Sequence, residues 1–338
     1  MRIYLLIAIL IFPELLRAQQ DSAEATNSFF DDSSVREYTL GNVFVGGEVA
    51  QPGYVDLASL PLSTVVVKEL ASENGEARFK GAFQYVGYSL FDILTNFTAT
   101  KANEKDFRPK VDMYVVVENE KRERGVFSWG EIYYSRDYHK ILLAKQVRAI
   151  NPSKTKTKWQ APAEPRLICA NDQYNTRFIS NPTRITVRSA PGVFSTEKPK
   201  VMFSPEIRMQ FDGKPVTVTD IQGMAEKRSY AHVGYGHGMG FKGVKNVDGF
   251  VLKDVLVKTM SLHAGASGTI LALVSAKDGY RCAFSLREII KRNDNAHFLL
   301  QERADSPTDG RYTLFATPDF FVDRNVRAVE QIEFIQIK

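Results

Sequence analysis

The sequence predicts one unit of short strands and a short helix, written twice. Three observations lead there. "FKGAFQYVGYSLFDIL" (79–94) and "FKGVKNVDGFVLKDVL" (241–256) agree at seven of sixteen positions. "FSWGEI" (127–132) and "FSLREI" (284–289) follow in the same order. Leu167, Asp172, Arg177 and Ile185 then match Leu314, Asp319, Arg324 and Ile332 at one constant offset. Ordered matches at a long period mark an internal repeat, and 338 residues suit about two domains.

In chain order, "MRIYLLIAILIFPELLRAQQ" carries Arg2, an apolar run from Ile3 to Phe12 and a small residue at Ala18. That pattern predicts a signal peptide over 1–18, with a run too short to span a bilayer. The expected setting is secreted or periplasmic, with no transmembrane span after cleavage. Residues 19–42 begin small, polar and acidic ("QQDSAEATNSFFDDSSV") and read as a flexible leader. The first copy is placed at 43–190, a Pro-containing linker at 191–203 and the second copy at 204–338.

Within the first copy, "NVFVGGEVAQPGYVDL" alternates into a Gly-Gly turn and a Pro-Gly turn, the pattern of a strand pair. The F-K-G stretch reads as a turn. The apolar positions 90, 91, 93 and 94 read as a short packing helix. "MYVVVENEKRERGVFSW" reads as two strands about a charged turn, and residues 151–165 as a polar, basic loop. "RLICAND" and "TRITVRS" close the copy as strands. The second copy opens with "IRMQFDGKPVTVTDI" and closes with "RYTLFATPD" and "EQIEFIQI".

Removal of residues 1–18 leaves a net charge of +4, spread along the chain. Nucleic-acid binding calls for clustered basic residues and is not expected. The charge is compatible with an anionic small ligand without demanding one, and another exported protein is the other partner expected. Cys169 and Cys282 both lie in apolar strand-like runs, which leaves a disulfide and two buried thiols equally open. No G-x-S-x-G, H-E-x-x-H, P-loop or zinc-type cysteine pair occurs.

The repeated unit resembles the molybdopterin-binding domain of sulfite-oxidase-type oxidoreductases. The resemblance rests on Gly47-Glu48-Val49-Ala50-Gln51-Pro52, the F-K-G segment, G-[YF]-x-L-x-D-[IV]-L, F-S-x-x-E-I and an Arg before the closing strand. It implies an α+β fold, two tandem copies of a mixed-sheet domain, with a helix beside the cofactor. The family holds molybdenum through a cysteine thiolate before the F-K-G-like segment, and neither copy has cysteine there.

At that place the second copy reads "HVGYGHGMGFKG". Imidazole and thioether are transition-metal donors, so His232, His237 and Met239 are the metal candidates. Glycines let backbone N–H groups approach an anion. The cofactor-binding candidates are therefore His232, Gly236, His237, Gly238, Lys242 and Arg324; no catalytic residue is assigned. The repeated Asp172…Arg177 and Asp319…Arg324 pairs read as loop ion pairs or as anion holders. Glu131 and Glu288 read as exposed helix-start residues.

These readings lean to an exported, non-catalytic ligand-binding or scaffold protein, because the metal-ligating cysteine is missing twice. The alternative is an oxidoreductase using molybdopterin or a transition metal through an unusual ligand set. A second alternative, suggested by "FVGGEVAQPGYVDL", is a β-grasp module of the kind found in polysaccharide-export proteins.

Overall fold

The computed structural model describes residues 33–73, 76–152, 154–192, 199–211, 214–260, 268–303 and 310–338. The expected signal peptide, most of the expected leader and part of the expected linker lie outside them. Two β-sheets come from each half of the chain.

In the first half the strands are β1 (Arg36–Glu37), β2 (Phe44–Gly47), β3 (Gly53–Tyr54), β4 (Ser63–Glu73), β5 (Glu76–Ser89), β6 (Met113–Asn119), β7 (Arg124–Ser128), β8 (Ile141–Ala149), β9 (Arg166–Cys169), β10 (Ile179–Ser180) and β11 (Pro182–Ser189). In the second half they are β12 (Ile207–Phe211), β13 (Lys214–Val218), β14 (Lys227–Gly236), β15 (Gly240–Val251), β16 (Ile270–Ala276), β17 (Arg281–Ser285), β18 (Leu299–Glu302), β19 (Tyr312–Phe315) and β20 (Val329–Gln336). The helices are α1 (Leu90–Thr95), α2 (Trp129–Tyr133), α3 (Leu252–Met260) and α4 (Leu286–Ile290).

The two halves repeat one strand order. One sheet runs β3-β2-β11-β6-β7, and its counterpart runs β13-β12-β20-β16-β17. In both, the opening strand pairs in parallel with the closing strand: β2 with β11 and β12 with β20. The other sheet runs β10-β9-β8-β5-β4 in the first half, with β1 added on β8; in the second it runs β14-β15-β18-β19.

The expected α+β fold of sulfite-oxidase type does not hold. The described chain is mostly β, 48% strand and 13% helix, in four small sheets. The physical reason lies in the repeated segment itself. Phe79–Ser89 is strand rather than turn, because Phe83 and Tyr85 bury on alternate positions against a sheet. Helix starts only where Ser89 caps it, its Oγ accepting from the Asp92 amide at 2.9 Å. α1 then lasts six residues, enough to bury Leu90, Ile93 and Leu94 and no more.

F-S-x-x-E-I has the same logic. Phe127 and Phe284 end strands in the core, and Ser128 and Ser285 cap five-residue helices. In the second half the cap is reciprocal, because Glu288 also accepts from the Ser285 amide at 2.8 Å.

One core fills the space between the sheets of each half. A further apolar cluster, with Tyr114, Val116, Val126, Leu271, Leu273 and Ala283, joins the halves along β6, β7, β16 and β17. The expected leader ends earlier than position 42: Arg36–Glu37 pair with β8, and Tyr38 is buried. No helix among the described residues is long and apolar enough to cross a membrane.

Candidate functional site: a buried charge seam and two unequal cavities

The repeated Asp…Arg pairs meet at the seam between the halves. Arg177 is wholly buried. Its Nε donates to Asp172 Oδ2 at 2.8 Å, and Nη1 and Nη2 donate to Glu131 at 2.8 and 2.7 Å. Its Nη1 also donates across the seam to Ser285 Oγ at 3.0 Å. Arg324 repeats the arrangement: Asp319 at 2.7 Å, Glu288 at 3.0 and 3.1 Å, and Ser128 Oγ across the seam at 2.9 Å. Each serine hydroxyl then donates to the other half's glutamate, Ser285 to Glu131 and Ser128 to Glu288. Backbone contacts reciprocate too, with the Gln173 amide on the Lys291 carbonyl and the Phe320 amide on the Tyr134 carbonyl.

Two expectations fall here. Glu131 and Glu288 are buried, because each neutralises a buried arginine. Arg324 does not face a ligand, since protein oxygens take up its donors and only 1% of it is exposed. Burial works against the charged guanidinium, but Asp319 and Glu288 more than offset it and hold Arg324 above the ordinary arginine range. Burial raises the pKa of both Glu288 and Asp319 against the pull of Arg324.

Glu131, Cys169 and Asp172 place their ligand atoms within 4.8 Å of one another, a spacing that would suit a metal. The Nη2 of Arg177 already lies among them, 2.7 Å from Glu131, 3.3 Å from Cys169 Sγ and 2.5 Å from Asp172. The chain supplies its own cation at that point. Cys169 and Cys282 are free, buried thiols. Burial raises the pKa of both, which keeps them protonated and unreactive.

The metal candidates do not converge. His232 is buried in β14, and Asn325 Nδ2 lies 3.2 Å from its Nε2. His237 lies five residues along, at the hairpin tip, about 16 Å away at strand rise and on the opposite side. There its ring meets Phe321 and Tyr134, and its amide donates to Asp323 at 2.9 Å. Met239 is 79% exposed. Gly236 and Gly238 shape the tip: Lys242 lies across Gly236, and no described residue comes within 4 Å of a Cβ placed on Gly238. Of the six cofactor-binding candidates, only His232 and Lys242 line one cavity.

That cavity, about 780 Å³, lies between the β14–β15 hairpin and the turn Val322–Arg324. Lys242, Lys245, Arg303 and Arg327 line it with His232, against the carboxylates of Asp278 and Asp323. The first half has a cavity of about 580 Å³ at the equivalent place, lined by Lys80, Arg124 and Arg166 against Glu69 and Glu123.

Strand register shows how the two differ. Val67 pairs with Phe83 where His232 pairs with Lys245, and Ala144 stands where the second half has Gln301. Glu69, which accepts from Arg166 and Asn175 at 2.9 Å, has Gly234 as its counterpart. At these hairpin positions the first half is thus apolar beside an internally neutralised acid, whereas the second half is basic.

The first-half wall is also covered. The loop 151–165 lays Trp159 on Phe79, ring centroids 5.0 Å apart, and Gln160 and Pro162 border the cavity. β1 and its flank clamp that loop, with Arg36 and Tyr38 donating to the Pro162 carbonyl at 2.7 Å.

Lys245, Arg303 and Asn325 were not among the sequence-predicted residues. The signal was present: F-K-G-x-F in one copy becomes F-K-G-x-K in the other, an apolar residue exchanged for a cation at an aligned core position. His232 is held below the usual histidine range, first by burial and then by Lys245 and Arg136, so its ring is neutral at pH 7. A neutral imidazole beside lysines can donate to an anion or take up a proton when one arrives. No protein-family model matches the chain, and no curated protein matches it either.

Proposed function

We propose that the chain is a binding protein for an anionic molecule, built from one duplicated unit in which the second copy carries the site. The first half serves as the rigid partner against which that site is held. The observation that supports this reading is the exchange of Val67, Phe83 and Glu69 for His232, Lys245 and Gly234 at equivalent strand positions. Replacing a covered apolar wall by a basic one costs packing and desolvation unless a ligand benefits. The cavity is also in the size range of small-molecule sites.

The test is calorimetric titration of the full chain with citrate, and with sulfate as a single-centre anion. Saturable citrate binding, weakened at least tenfold by Lys245→Glu and untouched by Lys80→Glu, is expected. Binding that responds equally to both substitutions, or no binding of either anion, would refute the assignment.

A further inference from the structure

The two equivalent hairpins end in different chemistry. In the first half, the ends of β4 and β5 carry charges: Glu73 forms ion pairs with Arg78 at 2.8 Å and with Lys80. In the second, β14 and β15 meet in the three-residue turn His237-Gly238-Met239, closed by the Met239 amide on the Gly236 carbonyl at 3.3 Å. Met239 at its apex is 79% exposed, more than any other large apolar side chain among the described residues. Tyr235 and Phe320 are exposed at the base of the turn, ring centroids 5.5 Å apart. These apolar positions are particular to the second half. Gln173 stands where that half has Phe320. Lys68 stands where it has Val233, exposed on the same face of β14 as Tyr235. Exposed apolar side chains gathered at one place mark a contact surface.

The charge changes with them. From Lys227 to Val247 the hairpin holds Lys227, Arg228, Lys242 and Lys245 and no carboxylate; Glu226, just outside, matches Arg228. The equivalent stretch 62–85 balances Lys68, Arg78 and Lys80 against Glu69, Glu73 and Glu76. We infer that the β14–β15 hairpin docks the protein on an anionic lipid bilayer. Met239, Tyr235 and Phe320 enter the interface, and Lys242 and Lys245 meet the headgroups. Apolar insertion and basic flanks act together in such binding. Shape favours a bilayer over a protein partner. A stable protein interface needs about 800 Å² of complementary surface on each side. A narrow turn with an apolar side chain at its apex enters a fluid interface without a matching groove. The inference goes beyond the anion cavity, which lies on the opposite face of the hairpin with His232 and Gly234. It shares Lys242 and Lys245 with that cavity but needs no ligand inside it.

The test is vesicle flotation of the chain from Gln19 onward. This form lacks the expected signal peptide, whose apolar run would itself bind a bilayer. Binding to equal mixtures of phosphatidylcholine and phosphatidylglycerol is expected, at least tenfold tighter than to phosphatidylcholine alone. Met239→Asp, at a solvated apex that folding does not need, should weaken it at least tenfold. Val66→Asp, at an exposed apolar residue of the first-half hairpin, should leave it unchanged. A nitrobenzoxadiazole dye on Met239→Cys should shift to the blue on binding, because Cys169 and Cys282 are buried and stay unlabelled. No vesicle binding, binding indifferent to Met239→Asp, or a dye that stays in water would overturn the inference. So would self-association that Met239→Asp abolishes in place of vesicle binding, which would give the face to a second copy. Citrate titration separates the two claims. Citrate binding without vesicle binding removes this inference alone, and vesicle binding without citrate binding removes the cavity reading alone.

Discussion

Arg177 Nη1 reaches out of its own half and donates to Ser285 Oγ at 3.0 Å, and Arg324 returns the contact to Ser128 at 2.9 Å. Two guanidiniums and four carboxylates are buried together between the halves. Removing one member leaves a charge without its partner. Arg177→Met or Arg324→Met should each lower stability by about 3–5 kcal/mol, read from urea unfolding. Ser128→Ala or Ser285→Ala should cost about 1–3 kcal/mol. Both tryptophans, Trp129 and Trp159, lie in the first half. Fluorescence therefore follows that half, while far-ultraviolet circular dichroism follows both. The two signals should unfold together in the native chain and separate in Arg324→Met.

Gly130 offers a steric test of the same seam. A Cβ there would lie 2.2 Å from Arg324 Cδ, and Arg324 has no room to retreat without losing Asp319 or Glu288. Gly130→Ala should destabilise by about 1–3 kcal/mol, read from urea unfolding. Its counterpart is Arg287, itself buried, so the repeat is not symmetric at this position.

The depressed pKa of His232 fixes the sign of two pH effects. Without ligand, the unfolded chain binds the proton more readily than the folded one. Stability from this residue is thus fully present above the unfolded value of about 6.5 and is lost as pH falls towards the folded value. An anion in the cavity opposes that depression, so sulfate affinity should rise as pH falls from 8 to 6. Sulfate does not titrate in this range, and His232→Gln should flatten the profile. A profile equally steep in His232→Gln would mean that another group governs it.

Trp159 should behave as a structural lid. Trp159→Ala uncovers the face formed by Val67, Phe83 and Tyr85, and the loss is expected at about 2 kcal/mol for a half-buried indole. Anion binding in the second half should persist. Thermal unfolding and citrate titration of the same variant check both halves of this expectation.

The repeat was legible because side chains that bury or cap keep their spacing. Ser128 and Ser285, and Arg177 and Arg324, stand at matched positions. The balance of strand to helix was harder to read. Phe79–Leu94 joins an alternating strand to a six-residue helix; the apolar spacing at 90–94 shows the helix, while the glycine of F-K-G suggests a turn and so hides the strand. The burial of Glu131 and Glu288 was hidden for another reason. A glutamate three residues after a capping serine is usually solvated; here an arginine far along the same half, Arg177 or Arg324, and a serine of the other half enclose it. His232 and Lys242 line one cavity. His237 was separated from them because a strand, not a loop, carries "AHVGYG".

The parallel pairs β2–β11 and β12–β20 carry a consequence for how the chain reaches its native state. Arg184 aligns with Phe44, and Gln331 with Arg208. In each half the strand that opens this sheet, β2 or β12, has no central partner until the last strand emerges from synthesis. Such distant pairings close large loops before any contact compensates the lost entropy, which slows folding. β20 sits between β12 and β16, so a nascent chain halted before residue 329 has an open slot in the middle of a sheet. Until release, that slot is the edge most exposed to mispairing with a neighbouring chain.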